Sequence, residues 1–177
     1  MMDGGASEDF RFALRAATRG DHDRVDRLVT GLDIATRAGF ARFAQVHLAC
    51  FRAVQDEAPS ATLAAMVSAL RADLAKVAPA ARVSVAVLGP VDPLAAAYMV
   101  EGSRMGTRVL HGRWAASKDA LVRAADRYFG LPPDKGGWRA VTSALGQVAI
   151  GSPRAARIEA DTRRLFALFA DRLEAEG

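Results

Sequence analysis

"YMVEGSRMGTRVL", residues 98–110, places Gly102 and Gly106 one helical turn apart among residues that favour helix. A glycine inside a helix costs about 1 kcal/mol relative to alanine, so the pair costs about 2 kcal/mol if the stretch is helical. Residues at i and i+4 share a face. A face without side chains lets a flat or bulky object come close to the backbone. A neighbouring helix is the general occupant of such a small-xxx-small face and a ligand is the other, and this stretch alone leaves both open.

The chain around it reads as helix nearly throughout. At 177 residues it fits one domain, large enough to bury about 70% of its unfolded surface without help from metals or disulfides. The periodicity predicts helices over 8–29, 37–57, 61–77, 93–115, 118–129, 135–150 and 153–175. The seven prolines fall where helices begin or end. Asp92 before Pro93 and Ser152 before Pro153 are N-cap and first-turn pairs, and Gly130 after "DRYF" reads as a stop. In the last helix Ile158, Thr162, Leu165, Phe166, Phe169 and Leu173 recur at steps of three and four, which marks a core stripe. Only "ARVSVAVLG", 81–89, alternates like a strand; with no partner strand in the chain it reads as an extended connector. The expected architecture is all-α: a flexible N-terminus over 1–7, then a single compact helical domain over 8–177.

Composition excludes several classes. Cys50 is the only cysteine, so no internal disulfide forms, and "MMDGGASEDF" lacks the basic flank and apolar core of a signal peptide. These features point to a reducing, cytoplasmic setting. No apolar run reaches the ~18 residues of a membrane span. The net charge of +4 is carried almost wholly by arginine, with lysine only at Lys76, Lys118 and Lys135. A basic balance suits nucleic acid, an anionic ligand or an acidic partner, but no basic recognition helix supports a nucleic-acid reading. The P-loop and dinucleotide glycine fingerprints are absent. A di-iron site needs Glu-x-x-His, and the residues three before His22, His47 and His111 are Arg19, Ala44 and Arg108. Reading "DHD", 21–23, as a phosphohydrolase centre would need more histidines than the chain has.

His22 stands out among the three histidines. In "LRAATRGDHDRVD", 14–26, Arg15, Thr18, Arg19 and Asp26 fall seven, four and three residues before it and four after, spacings that stack one helical face. A metal-bound histidine usually donates its other ring N–H to a carboxylate, a part Asp26 can take. A solvated charged face explains the same pattern. His47 reads as a core histidine, Met99 and Met105 as flexible core filler, Cys50 as a buried apolar residue, and His111 as exposed.

The two stretches together resemble heme oxygenase, in particular the bacterial branch that includes enzymes associated with bacteriophytochromes. The family pattern Thr-x-x-x-His is matched by Thr18 and His22, and the distal-helix pattern Tyr-Val-x-Glu-Gly-Ser-x-Leu-Gly by Tyr98, Glu101, Gly102, Ser103 and Gly106, with Met99 and Met105 as departures. Weaker agreement runs through "FARFAQVHLACFRAV", "LRADL", Trp138 and "LFALFADRL". The resemblance implies a heme oxygenase-like fold with His22 as the proximal ligand of heme b iron. It places Gly102, Ser103 and Gly106 on the distal helix and Arg15 near a propionate. Thr18 belongs to the proximal motif, and Arg163 on the last helix is a candidate for the second propionate. A neutral histidine ligand leaves one axial position for O2. The implied reaction is O2- and electron-dependent opening of heme to biliverdin, carbon monoxide and ferrous iron, with an electron donor such as ferredoxin or a reductase. The alternative on the same fold is a heme-binding or heme-sensing protein without turnover.

Overall fold

Thr18 breaks what the sequence presents as one N-terminal helix into two. Its hydroxyl donates to the Leu14 carbonyl at 2.8 Å and its backbone leaves helical geometry at φ −101° and ψ 6°. Such back-bonding by a buried threonine bends or interrupts a helix. In the computed structural model, which describes residues 9–132 and 136–175, the chain therefore opens with α1 (Phe10–Ala17) and α2 (Arg19–Gly31). It continues through α3 (Arg37–Glu57), α4 (Ala61–Val77), α5 (Pro93–Ala115), α6 (Ala120–Ala124), α7 (Gly137–Gly146) and α8 (Pro153–Glu174). The segment 1–7 lies outside the described residues. Among them there is no strand, and the fold is all-α in one compact domain.

The helix starts follow the capping residues. Thr36, Ser60, Asp92, Asp119 and Ser152 each accept a hydrogen bond from a first-turn N–H of the helix they precede, satisfying donors that have no partner inside the helix. Pro93 and Pro153 occupy the first turns, as the sequence indicates. The core stripe of α8 is buried along its whole length, from Ile158 and Thr162 to Leu173. α3 is buried on most of its circumference and packs against α4 and α8.

The expected helix over 118–129 contracts to Ala120–Ala124. The Asp73 carboxylate, fully buried on α4, accepts from Arg127 N at 3.0 Å and Tyr128 N at 2.8 Å, drawing those N–H groups away from helical pairing. Gly130 therefore closes a turn, not a helix; a Cβ there would lie 2.6 Å from the Asp126 carbonyl oxygen.

Residues 79–92 form the extended connector. Arginines of α8 hold it by its carbonyl groups: Arg164 donates to Leu88 and Pro90, and Arg172 donates to Val85. This is what the arginine-rich composition does across the molecule. Arg113, Arg123 and Arg104 likewise donate to carbonyls of Thr30 and Leu32, Ser117 and Pro132. A guanidinium has enough fixed donors to cap several unpaired carbonyls at once.

Candidate functional site

α8 is the platform on which the two candidate helices rest. α2 and α5 each pack along it, and α1 packs against α2, α7 and α8. The face of α5 that matters is a stripe at heptad spacing: Ala95, Met99, Gly102, Gly106 and Arg113. At its N-terminal end Ala95 and Met99 are buried. At its C-terminal end Arg113 reaches the last turn of α2, donating to Thr30 O at 2.9 Å and Leu32 O at 2.7 Å. Between these anchored ends the glycines face little. A Cβ on Gly106 would meet nothing within 4 Å, and one on Gly102 would meet only Trp138, at an ordinary 3.7 Å. Gly106 thus serves no close helix packing, and the Trp138 contact at Gly102 leaves room for a Cβ. The hydroxyls of Ser103 and Thr107 donate back to Val100 O at 2.7 Å and Ser103 O at 2.9 Å, so they belong to the α5 backbone ladder.

His22 lies on α2 with its side chain 55% exposed. Its ring sets an edge against Phe166 of α8, with centroids 5.7 Å apart and planes at 84°. Nδ1 is 3.6 Å from an Asp26 carboxylate oxygen and 3.5 Å from one of Asp23. Both separations exceed a normal hydrogen bond, but they direct Nδ1 to the acidic side and leave Nε2 as the nitrogen for a ligand. Asp26 lies on the Nδ1 side without a hydrogen bond to it, and so does Asp23, a residue the helical-face reasoning passed over because adjacent positions rarely face the same way.

Arg15 comes near the other helix. Burial pushes the Tyr98 phenol above its ordinary pKa, and the Arg15 charge partly offsets that shift. Arg15 at the end of α1 and Tyr98, one turn before Gly102, are therefore electrostatic neighbours. Two other residues play parts different from those expected. Thr18 is 1% exposed and holds the α1–α2 break, so it shapes the site without lining it. Arg163 is committed to protein acceptors: Asp21 at 2.8 Å, the Ala17 carbonyl at 2.6 Å and Glu159 at 3.2 Å. It fastens α8 to the α1–α2 junction, and a propionate would have to displace one of these partners.

The remaining histidines lie elsewhere. His47 is buried, with Nδ1 2.8 Å from the Phe43 carbonyl and its ring among Phe43, Phe51 and Phe169; burial lowers its pKa to about 4. His111 is exposed beside Trp114. Cys50 is fully buried, its thiol pushed up to about 12 by burial. Met99 is core, whereas Met105 is 53% exposed and lines a cleft on another face of α5. Among the described residues no three His, Cys, Asp or Glu side chains gather as a metal site. Neither of two clefts in the structure is lined by His22, Gly102 or Gly106; His22 and Gly106 are exposed and Gly102 is half-buried.

The chemistry of these residues suits a planar iron macrocycle: an accessible imidazole with two carboxylates beside it would hold the metal, Phe166 would give an apolar edge, and the uncovered surface at Gly106 would take a flat face. No family model and no curated protein sequence matches the chain.

Proposed function

We propose that the protein is a heme oxygenase that opens heme b to biliverdin, carbon monoxide and ferrous iron, using O2 and electrons from an external donor such as ferredoxin or a reductase. The observation that carries this reading is the uncovered backbone surface at Gly106, on a stripe of α5 whose far end Arg113 ties to the His22 helix. Gly106 neither turns the chain nor meets a neighbouring helix, whereas Gly102 lies beside Trp138 of α7 with room for a Cβ; an uncovered glycine in mid-helix leaves its backbone open to a ligand.

His22 would hold the iron through Nε2, and Asp23 and Asp26, 3.5 and 3.6 Å from Nδ1, would orient the ring and raise the basicity of the coordinating nitrogen. Phe166 limits rotation of the imidazole. Arg15 neutralises a propionate at the α1 end. Gly102 and Gly106 would let the α5 backbone approach the opposite face, with Ser103 between them in the motif. Bound heme supplies the iron that activates O2 and the ring that is opened, while the chain supplies orientation and electrostatics.

The test adds hemin to the purified protein and then ascorbate or a ferredoxin system in air. Loss of the Soret band with growth of bilin absorption is the expected result. A shifted Soret band that persists identifies a heme binder without turnover, and no Soret change rejects heme altogether.

A further inference from the structure

We propose that the cleft on the other side of α5 is a second binding site, for an aromatic monocarboxylate. The cleft holds about 380 Å³, within the range of small-molecule pockets. Glu101, Arg104 and Arg108 of α5 line it. At about 100° per residue these lie roughly opposite the Gly102–Gly106 stripe, so the cleft is separate from the His22 site.

Its chemistry is divided. Met66, Phe129, Leu131 and Trp138 provide an apolar lining with two aromatic faces, suited to a flat ring. Arg104 and Arg108 stand one turn apart at its edge. Arg104 gives one nitrogen to the Pro132 carbonyl and keeps its other donors. Among the described residues Arg108 has neither a hydrogen-bond nor an ion-pair partner, unlike most arginines of this chain, which cap carbonyls or pair with carboxylates. The two guanidinium groups stand one turn apart on α5, so a single carboxylate can reach both. Planar guanidinium donors fit a carboxylate in a paired geometry. Trp138 lines the cleft and also lies 3.7 Å from the Cβ position of Gly102, so it touches both faces of α5.

The experiment titrates 1-naphthylacetate, and its uncharged counterpart 2-(1-naphthyl)ethanol, into heme-free protein, followed by 15N–1H spectra. The two tryptophan indole signals are assigned with Trp138→Phe. Trp114 is an internal reference, because its indole N–H donates to Val122 O at 2.8 Å and the residue does not line the cleft. A saturable shift of the Trp138 signal is expected, with the acid binding tighter than the alcohol. Arg108→Ala, an exposed change, should weaken the acid about three- to tenfold, leave the alcohol unaffected and preserve the melting temperature. Absence of a saturable shift overturns the proposal. So does equal binding of acid and alcohol, or a response confined to the amides of His22 and Gly106. Heme plays no part in the titration, so its outcome is independent of the heme oxygenase reading.

Discussion

Arg113 caps the end of α2, its two terminal nitrogens 2.9 Å from Thr30 O and 2.7 Å from Leu32 O, and it sits seven residues beyond Gly106 on the same stripe of α5. The contact fixes the separation of the two candidate heme-binding helices at one end. A hydrogen bond to a charged donor is worth about 1.5 to 3 kcal/mol when buried, and this one is half-exposed. Arg113→Ala should therefore cost about 1 to 2 kcal/mol in urea unfolding. It should also weaken heme binding per folded molecule, since α2 and α5 lose their spacer. Unchanged affinity with reduced stability would restrict Arg113 to a structural role.

Gly106 separates the ligand and packing explanations by sign. With nothing within 4 Å of its Cβ position, Gly106→Ala should raise stability by about 0.5 to 1 kcal/mol through helix propensity alone. Gly106→Leu should be no less stable than the parent, yet should lose most heme binding because its side chain fills the space a macrocycle needs. A marked fall in melting temperature for either variant would show that the face is packed after all.

His22→Ala should abolish bilin formation while leaving the far-ultraviolet circular dichroism unchanged. The imidazole is more than half exposed, so the loss of stability should stay below about 1 kcal/mol. Added imidazole should restore the ferric spectrum. Asp26→Asn and Asp23→Asn should each shift that spectrum modestly, and their combination more, because both carboxylates approach Nδ1. A parent-like ferric spectrum in His22→Ala without imidazole would remove His22 from the iron.

What the sequence made legible was local. The α8 stripe from Ile158 to Leu173, the starts at Asp92–Pro93 and Ser152–Pro153, and the extended 81–89 segment all follow from spacing and capping chemistry within a few residues. The candidate site was legible as two short patterns, because His22 with Asp26 and Gly102 with Gly106 each lie within one turn. What escaped was carried by contacts distant in sequence. Asp73 shortens α6 from more than fifty residues away, and Arg113 joins α5 to α2 across more than eighty. A guanidinium capping a remote carbonyl leaves no periodic trace. Thr18 escaped for another reason: its hydroxyl chooses between motif and backbone, and only the bond to Leu14 O shows that it breaks the helix. The uninterrupted face from Arg15 to His22 was therefore too simple a picture, though Arg15 still comes near Tyr98.

His47 gives the fold an acid-sensitive element independent of any ligand. It is 7% exposed, its neighbours are the rings of Phe43, Phe51 and Phe169, and burial lowers its pKa to about 4, partly opposed by the Phe43 carbonyl. In the unfolded chain a histidine titrates near about 6.5. Between those values the unfolded state binds a proton that the folded state refuses, so stability falls as pH falls. The contribution is fully present above about 6.5, declines through the interval, and is exhausted below about 4, where both states are protonated. The window corresponds to about 3 kcal/mol in total and about 2 kcal/mol by pH 5. His47→Gln keeps a donor for the Phe43 carbonyl and removes the titration. Urea unfolding at pH 7 and pH 5 should then show the parent losing about 2 kcal/mol more than the variant over that interval, the carboxylates contributing equally to both. Equal losses in the two proteins would mean that His47 is protonated in the folded state, with water or a carboxylate reaching its ring.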